Sequence, residues 1–292
     1  MLLQPKIKKV SFFAPVKINL SLQIIGRRHD GFHLLESLVV FADKGDELSV
    51  SKSDSLTLKI KGPFAGSLST DKNNLVMRAA TLLAEFHKIE PKAHIELNKN
   101  IPVSSGLGGG SADAAATLHA LTELWKLPIS DQELNKIARL IGSDVSVCLN
   151  QKSAIIEGIG ERVSRLGNLP KFGILLVNSN STVSTQKVFQ KYHGNFSVPG
   201  SLNNIPKDRE TFHKFLRDLH NDLTQASIYT APEIKNILSV LTELDNQLLV
   251  RLTGSGGTCF ALFDGIKNAQ EAAEKLKIKF PGWWIEPASI LT

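Results

Sequence analysis

Cysteine is nearly absent from this chain: Cys148 and Cys259 are the only two in 292 residues. Two thiols among apolar neighbours exclude a disulfide framework or a cysteine-rich zinc site, and they read as buried free thiols. Long hydrophobic runs are missing too. The stretch from Phe172 to Val177 suits a buried strand and falls far short of the roughly 20 residues a membrane-crossing helix needs. Met1 to Val10 holds no apolar stretch of signal-peptide length, so the expectation is a protein that stays in the cytoplasm. Tyrosine is as rare as cysteine, and the 34 lysines and arginines are scattered rather than striped along a helix. The net charge of +6 therefore reads as a basic surface that draws in small anionic substrates by its long-range field, not as a nucleic-acid groove. Repeats and low-complexity tracts are also lacking, and the oligomeric expectation is a monomer or homodimer.

Glycine, by contrast, is concentrated where it matters. Residues 106, 108, 109 and 110 are glycines in a stretch of eleven: Pro102, Val103, Ser104, Ser105, Gly106, Leu107, Gly108, Gly109, Gly110, Ser111 and Ala112. An alanine-rich run of good helix formers follows directly. The first turn of a helix offers unpaired N–H groups and the positive end of the macrodipole, and glycines let backbone donors converge on an anion. The stretch reads as a nucleotide triphosphate loop. It is not a Walker A loop, since Ser111-Ala112 follows Gly110 where Lys-Ser/Thr is required, and Ser111 stands where a dinucleotide fingerprint needs its third glycine. Four glycines in five residues exceed what a simple turn uses.

The length suits two domains, with the boundary placed at 168/169 in the polar stretch Arg165 to Lys171: 1–168 and 169–292. The first opens with strands over 10–13, 18–25, 34–41, 47–50 and 56–60, then a helix capped by Asn74. A strand over 93–97 leads into the loop and its helix. Ser130 to Glu133 forms a capping box for the next helix, which stops at Gly142, and strands near 153–157 and 161–164 follow. The second domain reads as strand 172–177, helix 183–192, a mobile surface loop over 194–207, helices 209–219 and 232–244, strands 248–252 and 258–263, helix 268–278 and strand 282–286. Setting the extra helices aside, the order is β-α-β-β-α-β, the split ferredoxin-like arrangement.

Four segments, Ala14 to Leu20, the loop, Gly142-Ser143-Asp144-Val145 and Leu252 to Gly257, resemble the signatures of the GHMP small-molecule kinases, which include galactokinase and the homoserine, mevalonate and phosphomevalonate kinases. Asp30-Gly31-Phe32-His33, followed by Ser37, is similar to the segment with which one branch of that family holds a cytidine. The resemblance implies an α+β fold with an N-terminal ribosomal-S5-domain-2-like domain and a C-terminal ferredoxin-like domain. It implies transfer of the γ-phosphoryl group of ATP, with Mg²⁺, to the 2-hydroxyl of a cytidine diphosphate alcohol, 4-(cytidine 5′-diphospho)-2-C-methyl-D-erythritol. Asp144 would be the general base and Lys17 would orient it and neutralise charge. A carboxylate on the proton of a weakly nucleophilic alcohol, with a cation nearby, is what such chemistry calls for.

By position, the resemblance assigns Asn74 and Lys99 to the adenine side, and Pro102 through Ala112 to the phosphates. Ser111 is a candidate for the Mg²⁺ shell or, equally, an N-cap hydroxyl. Phe32 would stack on the base and His33 bond its edge. Asn19, on the strand face of Lys17, would hold a substrate hydroxyl. Thr185 and Phe189, one helical turn apart, would form a second substrate wall, with core packing the alternative for Phe189. Gly254, Ser255 and Gly256 would bring backbone close to substrate. Two departures stand out: Ser146 where relatives commonly carry proline, and Ser104-Ser105 where glycines can occur. Two other readings stay open, another kinase of the same family acting on an aliphatic substrate, and a non-catalytic nucleic-acid-binding module.

Overall fold

The computed structural model describes residues 9–291. Its elements are β1 (Lys9–Asn19), β2 (Gln23–Arg27), β3 (His33–Ser51), β4 (Thr57–Lys61), α1 (Leu75–His87), β5 (His94–Asn98), α2 (Gly109–Trp125), α3 (Asp131–Ile141) and α4 (Val145–Asn150). They continue with β6 (Ala154–Gly158), β7 (Arg162–Arg165), β8 (Gly173–Asn178), α5 (Thr185–Gln190), α6 (Arg209–Asp218), α7 (Thr224–Thr230) and α8 (Glu233–Thr242). The last are β9 (Gln247–Leu252), β10 (Thr258–Phe263), α9 (Ile266–Lys279) and β11 (Trp284–Ser289). No helix among the described residues is long and apolar enough to cross a membrane.

Contacts divide the chain into two compact units. The first comprises the segment ending at Pro15 with Gly45–Val103 and Gly109–Leu149. In it β5 pairs parallel with β4 and antiparallel with Glu47–Ser51 of β3. The Asn74 side chain caps α1 by accepting from the Val76 N–H at 2.9 Å, as its residue type and place predict. Helix α1 packs on α2, whose Ala112, Ala114, Ala115, Ala116 and Ala120 are buried. The Ser130/Glu133 capping box starts α3 and Gly142 follows its end. Helix α4 was not expected: six residues leave little periodicity to read.

The second unit comprises Val16–Lys44, Ser104–Gly108 and the chain from Asn150 onward. Here the first part of β3 pairs with β2 and β6, and β6 with β7. A separate four-stranded antiparallel sheet runs β11-β8-β10-β9, which is the ferredoxin-like order, with α5 to α8 inserted between β8 and β9. Its core joins Leu175, Val177, Cys259 and Ala261 of the sheet to Val188 of α5, Ile234 and Ile237 of α8 and Ala269 of α9. Leu22 and Ile24, from the start of the chain, belong to the same core. Both cysteines are buried free thiols, as expected.

Two expectations change. The strands read over 34–41 and 47–50 are one strand, β3, because Asp43-Lys44-Gly45-Asp46 resembles a turn yet stays extended. The 194–207 segment is not a free loop: the Ser197 N–H donates to the Ile24 carbonyl at 2.8 Å, Leu202 is buried, and the Gly200 and Ser201 N–H groups donate to Glu36. The boundary expected at 168/169 follows chain order, whereas the compact units draw residues 16–44 and 104–108 together with the C-terminal elements.

Candidate active site

In the second unit, Ser104 to Gly108 takes the conformation its glycines allow. Ser104, Gly106 and Gly108 have φ of 54°, 79° and 65°. A Cβ on Gly106 would lie 2.5 Å from the carbonyl oxygens of Thr253 and Gly256, so no larger residue fits there. A Cβ on Gly108 would meet the Lys17 side chain at 3.4 Å, and the Lys17 N–H donates to the Leu107 carbonyl at 3.0 Å. Lys17 thus lies along the phosphate loop and is buried, with a partner of its own. The Thr258 N–H donates to the Ser105 carbonyl at 2.9 Å, which laces the loop to the second glycine turn.

That second turn is itself held by side chains the sequence reading missed. Asn221 Nδ2 donates to the carbonyls of Leu252 and Gly254, and Ser227 Oγ donates to that of Ser255. Asparagine and serine are common turn residues, and nothing local ties either to a segment about thirty residues away. Thr185 Oγ1 lies 2.7 Å from Ser255 Oγ, so two of the assigned substrate residues do meet. The Asn19 N–H donates to Thr253 Oγ1 and its Nδ2 to Ser37 Oγ. Its buried Oδ1 has no hydrogen-bond partner among the described residues and lies 3.5 Å from where a Gly254 Cβ would stand. An orphaned buried acceptor of this kind suits a ligand hydroxyl. Behind it, buried Arg251 donates to the carbonyls of Leu20, Leu216 and Leu219, fixing the end of β1; burial pushes its guanidinium down to about 10, still charged at neutral pH.

At the far end of the hairpin of β2 and β3, the His33 ring lies 5.5 Å from that of Phe189 and edge-on to Tyr192 at 5.6 Å. Burial first, and then the Arg27 charge, lower the His33 pKa, so the imidazole is neutral at neutral pH and can both donate and accept. Phe189 is half-buried against this cluster and the helical core, which is the packing alternative expected for it. Phe32 is 58% exposed, a flat face free to stack.

In the first unit, Lys99 is a buried ammonium rather than a surface contact. Its Nζ donates to Asp46 at 2.5 Å and Asp113 at 2.8 Å, all three side chains being almost fully buried. Asp46 also accepts from the N–H groups of Asn100 and Ile101, and Lys99 Nζ comes within 3.0 Å of where a Gly109 Cβ would stand. Burial would lower the Lys99 pKa, but the two carboxylates outweigh it and hold it raised. Burial and the charge of Asp46 raise Asp113, against the pull of Lys99, to about 7. The trio therefore braces the first turn of α2 from beneath. Neither acid was singled out from the sequence, because Asp46 lies 53 residues from Lys99 and Asp113 sits inside an alanine run.

Asn74 spends both polar ends within the chain, its Nδ2 donating to the Ser69 carbonyl. Ser111 is the third residue of α2 and so is not its N-cap. Pro102 is buried, Val103 and Gly109 are half-buried and Gly110 is exposed at the helix entrance, where N–H groups remain for an anion; Ala112 is buried behind them. Asp144 is half-buried immediately before α4, and its carbonyl accepts from the Cys148 N–H. Ser146 falls in the first turn of α4, where proline is also tolerated, so the substitution leaves the helix intact.

Residues 74–152 match the GHMP kinases N terminal domain and residues 200–282 the GHMP kinases C terminal domain. A 4-diphosphocytidyl-2-C-methyl-D-erythritol kinase from Ruegeria pomeroyi is 44% identical over 97% of this chain and 99% of its own length. One from Parvibaculum lavamentivorans is 42% identical over 94% and 95%. A crystal structure of 4-(cytidine 5′-diphospho)-2C-methyl-D-erythritol kinase superposes with a TM-score of 0.79 at 30% identity, covering 97% of this chain and all of that one. With the glycine loop, its lysine and the ferredoxin-like sheet in place, these likenesses over nearly the full length assign the chain to the 4-diphosphocytidyl-2-C-methyl-D-erythritol kinases, a family of GHMP kinases.

Proposed function

We propose that this chain transfers the γ-phosphoryl group of ATP to the 2-hydroxyl of 4-(cytidine 5′-diphospho)-2-C-methyl-D-erythritol, releasing ADP, in the non-mevalonate route to isoprenoid precursors in the cytoplasm. The observation that carries the reading is the Lys17 side chain lying along Gly108, which sets an ammonium beside a loop built to receive phosphate. Asp144 takes the hydroxyl proton as that oxygen bonds to the γ-phosphorus; the bond from phosphorus to the β,γ-bridging oxygen breaks, and its electron pair leaves on ADP. Lys17 orients the acceptor side and neutralises charge on the moving group. Backbone N–H groups of Gly108 to Ser111 hold the phosphate oxygens, and Asn74 and Lys99 mark the adenine side, Lys99 by bracing backbone rather than by reaching out.

Mg²⁺ would supply further neutralisation of the triphosphate, and the Ser111 hydroxyl is the group offered to its shell. Among the described residues no group of three or more His, Cys, Asp and Glu could hold a metal, so the donor set suits an ion held largely by phosphate oxygens and water. Phe32 stacks on the cytosine while His33 bonds its edge; Asn19 Oδ1 accepts from a substrate hydroxyl, Thr185 and Phe189 form a second wall, and Gly254 to Gly256 bring backbone close to the substrate. An aliphatic alcohol would give the exposed face of Phe32 nothing to stack on, which disfavours a mevalonate- or homoserine-type substrate. The test is ADP release with ATP, Mg²⁺ and the cytidyl alcohol against mevalonate and homoserine; turnover of either of the latter in preference would overturn the reading.

A further inference from the structure

Glu36 is a buried carboxylate on β3, 5% exposed, paired in register with Gln23 of β2 on the hairpin that also carries His33. It faces the backbone of a segment more than 160 residues later. Its oxygens accept from the Gly200 N–H at 3.1 and 3.2 Å, the Ser201 N–H at 3.2 Å and Ser201 Oγ at 3.0 Å, and Ser201 Oγ also reaches Gln23 Oε1. Burying a carboxylate is unfavourable unless its acceptors are filled, and here one short turn fills them. Gly200 has φ of 88°, which aims two consecutive N–H groups at the same carboxylate.

The strap anchored there begins at the base-binding cluster. Tyr192 donates its hydroxyl to the Asn195 carbonyl at 2.7 Å and presents its ring edge-on to His33. Two residues beyond Asn195, the Ser197 N–H bonds to Ile24 and Ser197 Oγ to Asp222 Oδ2, an oxygen that also accepts from the Ile24 N–H. The outward side chains Phe196 and Val198 are 54% and 81% exposed, so between Asn195 and Ser201 the polar ties hold the stretch, and hydrophobic burial resumes only at Leu202.

Resting on the cytidyl-kinase reading, we propose that Glu36 is a positioning residue for the cytosine site: its carboxylate fixes the strap from Asn195 to Ser201, and the strap fixes the Tyr192 edge that sets His33 and Phe189. Glu36 touches no reacting atom, so its removal acts on recognition of one substrate alone. The experiment measures steady-state kinetics for both substrates, and CDP binding by calorimetry, in wild type, Glu36→Ala and Ser201→Ala. Glu36→Ala is expected to weaken CDP binding and raise KM for the cytidyl alcohol by about tenfold, with KM for ATP and kcat within about twofold, because the ties lost hold the strap and no reacting group. Ser201→Ala, which keeps the backbone N–H donors, is expected to show the same split at about threefold, and it serves alone if Glu36→Ala does not fold. Unchanged CDP affinity in the variants, or equal effects on both KM values, would overturn the proposal while leaving the activity standing. A wild-type chain that neither binds CDP nor turns over would instead remove the reading beneath it.

Discussion

At the scale of single residues, the site depends on how closely one lysine lies to one glycine. Gly108 has a left-handed backbone, and its missing Cβ would stand in van der Waals contact with Lys17 atoms at 3.4 Å, so Gly108→Ala strains the loop along which Lys17 lies. Backbone strain costs about 1–2 kcal/mol, and a loop that relaxes to relieve it shifts the backbone against which Lys17 lies. Turnover is expected to fall by about tenfold or more, because misplacement of a reacting group by about 1 Å can cost two orders of magnitude, while thermal melting shifts by only a few degrees. Melting and rate measured on the same preparation separate the two effects; a variant with native turnover would show that Lys17 has no bearing on the loop's chemistry. Asp144→Asn keeps shape and removes the proposed base. It is expected to bind ATP as wild type does and to lose about 10²–10⁴ in kcat, and a fully active variant would move the base elsewhere. Lys17 and Asp144 could be proposed from the sequence because each sits in a short motif. Asn221, Ser227 and Glu36 were not, since their work is to hold backbone that only folding brings near.

At the scale of elements, the start of α2 is held by a trio carrying two carboxylates and one ammonium. Asp113 is the member that titrates near neutrality. Its folded pKa, about 7, lies above the ordinary 3.8, so the folded state takes up a proton more readily than the unfolded chain. Its contribution to stability is fully present below about pH 3.8, shrinks as pH rises, and is gone above about 7, at no more than about 1.4 kcal/mol per pH unit. Asp113→Asn keeps an acceptor for Lys99 and removes the titration. Relative to that variant, wild type is expected to lose melting temperature between pH 5 and pH 8, with the difference flattening above 7; parallel curves would mean that Asp113 stays charged throughout. The helix of this element was plain from its glycines and alanines, as was the Ser130/Glu133 cap of α3. The helices α4 and α7 escaped because six or seven residues carry too little pattern, and β3 was split in two because Asp43 to Asp46 has turn composition inside a continuous strand.

At the scale of the molecule, chain order and compactness divide the protein differently. A cut at 168/169 yields a C-terminal fragment with the complete ferredoxin-like sheet, yet the core of that sheet's unit includes Leu22 and Ile24 from β2 and the residue before it. Burial of each is worth about 1.5–3 kcal/mol, and the fragment also forfeits the ties from Asp222 to Ile24, from Arg251 to Leu20 and from Thr258 to Ser105. Arg251 would then keep a buried guanidinium with one of its three carbonyls gone. Since a domain's whole stability is about 5–15 kcal/mol, those losses together match what the fragment has to spare. Residues 169–292 expressed alone are therefore expected to lack a cooperative melt, and to regain one when mixed with 1–168, because the missing strand and loop return to the same positions. A fragment that melts cooperatively at the temperature of the intact chain would show that the strands at the front of the sequence lean on the C-terminal unit without supporting it. The ordering would then favour the chain-order boundary over the contact-based one, and the lacing of the two glycine turns would be a consequence of ligand-site geometry rather than a source of stability.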